Sequence, residues 1–324
     1  MSLLSQQRVF VTGATGYVGH PLAAQLREGG ADVTVLSRAG QAQEGVRVVR
    51  GDLAVVDSYA RHLRGCDCVV HCARSNNPEQ DVASAASLLD AAVANGVRRF
   101  VHLSTISVYG VTRDGSIDET EPYRATGDAY ATGKARIESQ MLSRGGEIEV
   151  VVLQPANVYG LSGGWWSGAV LNMMRRGAII LVNDGTGTAN MLHVLDLCDA
   201  IQSAVTAQGV AGQKFLLTDG RPMAWHEYFA GLERLIGREA TLKLSADGAR
   251  TLSRRLRDAR LPARSWRWFR RILRGRPPVI ALSDEQIDGF ACRTVFRIDK
   301  ARRVLGYEPK YDLEAGLKTV TTEK

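Results

Sequence analysis

Tyr130 and Lys134 are four residues apart in Tyr130-Ala-Thr-Gly-Lys134, and Thr105 stands 25 residues before the tyrosine, next to Ser104. On a helix, residues four apart share a face. An ammonium placed there draws a phenol, which titrates near pH 10 when free, toward ionisation. A phenol so poised passes a proton to or from a carbinol or carbonyl oxygen. The chain also opens with a glycine-rich turn, Gly13-Ala-Thr15-Gly16-Tyr17-Val18-Gly19. A dinucleotide seated on that turn makes the pair a centre for redox chemistry at a C–O bond.

The elements that must position these groups are readable from pattern. Arg8–Thr12 is a β-rich run, and Val18, Leu22, Ala23 and Leu26 recur at helical spacing after it. In the turn between, the first glycine permits a tight bend and the second admits a pyrophosphate. The third lets the helix pack on the strand, with the helix N-terminus facing the phosphates. Gly29-Gly30 ends the helix, and strands are expected at 32–36, 46–49, 68–71, 100–103 and 149–154. A helix is expected over 81–95, closed by Gly96, and another carries Tyr130 and Lys134. Strand and helix patterns alternate to about residue 160, which predicts an α/β fold, a Rossmann-type doubly wound parallel sheet. Beyond it, 163–166 and 183–187 read as loops and 193–207 as a helix, while 214–217 returns a strand to the sheet. The expected division is a dinucleotide-binding domain over 1–160, with the return at 192–220. A smaller C-terminal substrate lobe follows from 161–191 and 221–312, then a tail over 313–324.

At the tip of the second strand an Asp or Glu would bind the ribose 2′-hydroxyl of NAD(H). The chain has Ser37 followed by Arg38. Without the carboxylate a 2′-phosphate is not repelled, and a guanidinium pairs with it, so NADP(H) is favoured over NAD(H).

Composition narrows the class. The 324 residues, 45% of them hydrophobic, fill a substantial core. Mean hydropathy is −0.12, and no apolar run reaches the length of a membrane span. No signal peptide is read before Arg8. Cys66, Cys68, Cys72, Cys198 and Cys292 have no metal-ligand spacing, so no metal is expected; they read as reduced thiols in a cytoplasmic protein. The net charge of +7 is one segment's property, because residues 250–276 hold eleven arginines and one acid. A general nucleic-acid coat is therefore not expected.

Taken in order, these pieces resemble the extended short-chain dehydrogenase/reductase family, the NAD(P)-dependent epimerase/dehydratase group, over about 8–320. The resemblance rests on the glycine turn, Gly51-Asp52-Leu53, Val69-Val-His-Cys-Ala73, Leu103-Ser-Thr-Ile-Ser-Val-Tyr-Gly110 and Tyr130-xxx-Lys134. It continues through Gln154-Pro155-Ala-Asn157-Val158-Tyr-Gly160, His193-Val-Leu-Asp196 and Lys300-Ala-Arg-Arg-Val-Leu-Gly-Tyr-Glu-Pro309. It implies Thr105, Tyr130 and Lys134 as the catalytic triad: Thr105 holds the substrate oxygen, Tyr130 is the acid/base, and Lys134 binds the nicotinamide ribose and tunes the tyrosine. It implies Asp52 and Leu53 at the adenine, Ala73 along the pyrophosphate–ribose path, and Pro155 to Val158 beside the nicotinamide. Three departures narrow the chemistry. Ile106-Ser107 replaces the Asp-Glu of sugar dehydratases, Ala189-Asn190 replaces the Arg-Asp that grips a sugar nucleotide's diphosphate, and Gln154 replaces an Arg. Asp81 and Ser84 replace the Asn and Gly usual on the dimer-facing helix.

The expected function is NADPH-dependent reduction of a ketone or aldehyde, or the reverse oxidation, on a small or carrier-linked metabolite. The alternatives are a nucleotide-sugar epimerase or 4-ketoreductase using the same triad, and a non-catalytic NADP(H)-binding regulator. The arginine-rich stretch, with Trp266 to Arg274 in it, reads as an amphipathic lid, an anion-recognising lobe or a membrane-surface helix; membrane contact is not expected. A homodimer through helices near 81–95 and 128–143 is what the resemblance implies.

Overall fold

The computed structural model describes residues 3–40, 44–110, 114–125, 127–258 and 278–320. Strand β1 (Arg8–Thr12) runs into the glycine turn and helix α1 (Gly19–Glu28). Then come β2 (Asp32–Ser37), β3 (Arg47–Arg50), β4 (Cys68–His71), α2 (Pro78–Ala94), β5 (Arg99–Leu103) and the short β6 (Gly115–Ile117). Helix α3 (Ala129–Leu142) leads to β7 (Glu149–Pro155), β8 (Asn157–Tyr159), α4 (Val170–Arg176), β9 (Ala178–Val182), β10 (Met191–His193), α5 (Val194–Thr206) and β11 (Gln213–Leu217). The remainder gives α6 (Trp225–Ile236), β12 (Thr241–Leu244), α7 (Ala246–Asp258), β13 (Val279–Ile280), α8 (Asp284–Ala291), β14 (Thr294–Phe296), α9 (Asp299–Leu305) and α10 (Leu313–Lys318).

Seven strands form one parallel sheet in the order β3-β2-β1-β4-β5-β7-β11. Successive side chains of a strand point to opposite faces. Val9 and Val11 accordingly join the core under α1 and α5, while Phe10 joins the core under α2 and α3. All three are fully buried, which is why a central parallel strand is apolar throughout rather than alternating. Burying one such side chain contributes roughly 1.5–3 kcal/mol. The strand order reverses between β1 and β4, so a crevice opens there at the carboxyl ends of the strands.

Buried polar groups fix the layers. Arg99, 1% exposed, donates to the Ala204 and Val205 carbonyls at 2.9 and 2.8 Å and to Glu149 at 2.7 Å. A guanidinium there satisfies carbonyls in the last turn of α5, where the helix dipole favours positive charge. Asn77 starts α2 by accepting from Glu79 N and Gln80 N ahead of Pro78.

Smaller parallel sheets flank the main one: β12-β9-β13, β10-β8 and β14-β6. Residues 163–166, expected as a loop, instead begin a wide π-type turn over Gly164–Ala169 that runs directly into α4. Part of the arginine-rich stretch is structural. Arg250 pairs with Asp288, Arg254 with Asp284 at 3.3 Å, and Arg257 donates to the Leu282 carbonyl at 3.1 Å, tying α7 to α8. Trp266 to Arg274 lies outside the described residues. Among the described residues no helix is long and apolar enough to cross a membrane, and no group of three or more His, Cys, Asp or Glu has a metal-holding arrangement.

Candidate active site

The glycine turn sits at the crevice because only glycine fits it. Gly13 has φ +75°, and a Cβ there would stand 2.7 Å from Ala73 N, in the chain leaving β4. A Cβ on Gly19 would fall 2.2 Å from the Gly13 carbonyl oxygen, so the third glycine lets α1 close on the turn. Thr15 and Gly16 are exposed at its tip, and Val18 packs partly against the core. Tyr17 is committed to the fold: its hydroxyl donates to the Gly160 carbonyl at 2.5 Å, and its ring lies against Gly163 and Gly164.

At the end of β2, Ser37 is 4% exposed, and its Oγ is buried with no hydrogen-bond partner. Arg38 next to it is exposed. The β2–β3 register places Arg50, also exposed, directly across from Ser37. Neither arginine makes an ion pair among the described residues. Sequence spacing does not point to Arg50, because only the strand register brings it to Ser37. Asp52 accepts from Ala54 N at 2.9 Å, and Leu53 packs partly on the core beneath α2.

The catalytic candidates meet across β5 and α3. Asp128 caps α3 by accepting from Tyr130 N at 2.9 Å. Gly133 lets that helix approach α2, since a Cβ there would stand 3.1 Å from the Pro78 Cβ. Thr105 leaves β5 and is 8% exposed, and its hydroxyl works to lower the pKa of the Tyr130 phenol. Thr105 Oγ1 also lies 3.1 Å from Ser107 Oγ. Lys134, 7% exposed, donates from Nζ to the Leu103 carbonyl at 2.7 Å.

The electrostatics differ from the expectation that Lys134 brings the phenol toward ionisation. Burial pushes the Tyr130 phenol above its ordinary range. The cation that opposes this shift is Arg74, whose guanidinium carbon sits 5.2 Å from the Tyr130 ring centroid. Burial pulls the Lys134 ammonium down to about 8, while the Asp81 charge works to hold it up. Asp81 also accepts from Ser75 N at 2.8 Å, fixing the turn that carries Arg74. That is a physical role for a residue the resemblance marked only as a departure.

Behind α3 lies a second cluster that spacing does not announce. Glu138 is fully buried and accepts from Ser104 Oγ, from the Tyr123 hydroxyl at 2.5 Å and from Gln154 Nε2 at 2.8 Å. Tyr109 donates to Gln154 Oε1 at 2.8 Å. Gln154, where the resemblance implied an Arg, is thus a buried link in this network, immediately before Pro155 at the end of β7. Asn157 donates from its backbone N to the Asn190 carbonyl at 3.0 Å, and Val158 packs partly on the core. Asn190 donates in turn to the Thr294 carbonyl at 2.8 Å. Ala189-Asn190 therefore joins β8 to the start of β14.

From Ser107 and Asp128 a cavity of about 640 Å³ runs into the space bounded by α4, α6, α8 and β9.

Comparison with known proteins agrees with this fold. The NAD dependent epimerase/dehydratase family matches residues 9–217. A 4-hydroxy-2-methyl-3-oxo-4-farnesyl-3,4-dihydroquinoline-1-oxide ketoreductase of Stigmatella aurantiaca is 26% identical over 96% of this chain and 94% of its own. A 2-alkyl-3-oxoalkanoate reductase of Stenotrophomonas maltophilia is 25% identical over 96% and 97%. Among solved structures, the epimerase Mth375 of Methanothermobacter thermautotrophicus superposes with a TM-score of 0.76 at 22% identity, over 99% of this chain and 93% of that one. The chain belongs to the NAD dependent epimerase/dehydratase family, within the extended short-chain dehydrogenases/reductases, and is an NAD(P)-dependent enzyme.

Proposed function

We propose that this protein is an NADPH-dependent reductase of a ketone or aldehyde, with Tyr130 as the proton donor. The observation that carries the reading is the meeting of the three residues: Lys134, one turn along α3 from Tyr130, donates to the Leu103 carbonyl at 2.7 Å, two residues before Thr105, whose hydroxyl acts on the Tyr130 phenol. A neutral phenol suits reduction. Burial keeps the Tyr130 proton in place at neutral pH, so the group stands ready as an acid toward a developing alkoxide. Thr105 orients the carbonyl oxygen toward it. Lys134, charged below about pH 8, and Arg74 stabilise the negative charge that forms when the proton leaves.

The residues present fit a dinucleotide. The exposed tip of the glycine turn at Thr15 and Gly16 and the orphaned Ser37 hydroxyl both stand where one would lie. Gly13, Thr15 and Gly16 would hold the pyrophosphate, with Ala73 beside it. Asp52 and Leu53 would meet the adenine, and Pro155, Asn157 and Val158 the nicotinamide, with Lys134 at its ribose. Arg38 and Arg50 would meet a 2′-phosphate. A bound nicotinamide supplies a hydride, two electrons and one hydrogen, to the carbonyl carbon. Tyr130 supplies the proton that completes the hydroxyl, and solvent returns it.

The nucleotide-sugar reading is weaker, because the resemblance puts Ala189 and Gln154 at two cationic positions of such enzymes; Ala189 is buried and uncharged, and Gln154 is spent on a structural bond. The reductase reading is tested with NADPH deuterated at C4 and an aliphatic ketone. Deuterium is expected on the carbinol carbon of the product; an unlabelled alcohol, or none formed, overturns it.

A further inference from the structure

The cavity that opens at Ser107 and Asp128 is lined by Trp165, Trp166, Trp225, Phe229, Phe290 and Phe296, with aliphatic side chains between them. Its rings pack on one another: Trp166 and Trp225 have centroids 5.0 Å apart, and Trp225 and Phe290 4.7 Å. Among the described residues lining it, the only charged side chains are Asp128 and Glu285, both acidic. No described lysine or arginine lines it. A diphosphate or a phosphopantetheine arm placed there would be desolvated against carboxylates, with no cation among the described lining residues to meet it. Trp165 lines the same cavity and is 58% exposed, an unusual exposure for an indole. The cavity adjoins the chemistry, because Ser107 Oγ lies 3.1 Å from Thr105 Oγ1 and Asp128 caps the helix of Tyr130. Its volume of about 640 Å³ matches a ligand-sized apolar site.

We infer that this cavity selects carbonyl compounds with an uncharged, apolar body, such as a long alkyl chain or fused rings. The carbonyl lies at the Ser107–Asp128 end, the body lies among the aromatic rings, and Trp165 covers it from the rim. This inference rests on the reductase reading. It predicts that coenzyme A thioesters and sugar nucleotides are poorer substrates.

The test uses the full chain with NADPH and measures kcat/KM for 2-undecanone, 2-pentanone and acetoacetyl-coenzyme A. The longer ketone is expected to exceed the shorter by about 100-fold, since each buried methylene adds to binding. It is also expected to exceed the thioester. Trp165→Ala should narrow the ratio of long to short ketone about tenfold while NADPH affinity holds. Equal values for the two ketones, or a preference for acetoacetyl-coenzyme A, would overturn the inference and leave the reductase reading intact. If no ketone is turned over although NADPH binds, the reductase reading fails instead. Tryptophan fluorescence then decides the cavity: saturable quenching by 2-undecanol but not by uridine diphosphate supports it, and no quenching by the alcohol overturns it.

Discussion

Removing Arg38 and Arg50 together separates NADPH from NADH. A 2′-phosphate carries about −1.5 to −2 charges at neutral pH. Across the β2–β3 register Arg50 faces Ser37, and Arg38 follows it, so two guanidiniums flank one buried, unpartnered hydroxyl. A hydrogen bond to a charged group nets about 1.5–3 kcal/mol. Both arginines are exposed, and solvent screening brings each to about 1–1.5 kcal/mol, or about five- to tenfold in affinity. Both serve one phosphate, so their losses combine less than additively. The double variant Arg38→Ala/Arg50→Ala should then bind NADPH about 20- to 60-fold more weakly, while NADH changes less than twofold. Fluorescence titration at low and high salt measures this. The wild-type preference for NADPH should shrink as salt rises, as expected of solvent-exposed charges. Equal losses for the two cofactors, or a wild type that binds NADH as tightly as NADPH, would refute the reasoning.

Two further outcomes follow from buried groups. Burial holds the Lys134 ammonium down at about 8, while the Tyr130 phenol, raised, keeps its proton well beyond that. The charge is therefore present below pH 8 and lost above it, so kcat/KM for ketone reduction should be level to about pH 8 and then fall, approaching tenfold per unit. A profile level to pH 10 would contradict this. Glu138→Leu leaves the Ser104, Tyr123 and Gln154 donors without their acceptor and should cost about 3–5 kcal/mol. Thermal melting should drop by about 5–12 °C, with Glu138→Gln milder; an unchanged melt would remove the network from the account.

Local chemistry made much of the fold readable. The apolar run before Gly13 marks a central parallel strand, because both faces of that strand are covered. Tyr130, Lys134 and Thr105 stood out by residue type and spacing, and β5 and α3 bring them together. What stayed hidden depends on contacts between distant segments. Arg50 reaches Ser37 only through strand register, and Glu138 acquires its partners only when α3 packs behind β5 and β7. Arg74 reaches Tyr130 across the turn that Asp81 holds. Residues 163–166, Gly-Gly-Trp-Trp, read as a loop by composition, yet Trp166 packing on Trp225 of α6 makes a helical turn worthwhile. Charge alone has Lys134 drawing the phenol toward ionisation, whereas in the folded chain burial raises it and Arg74 is the opposing cation.

Tyr130→Phe tests the central claim most directly. The substitution removes one hydroxyl and keeps the ring beneath Arg74. General acid catalysis contributes about 10²–10⁴-fold, so single-turnover reduction of 2-undecanone by saturating NADPH should slow by at least about 100-fold. NADPH affinity should stay within about threefold. A variant that reduces the ketone at the wild-type rate would contradict the assignment of Tyr130 as the proton donor.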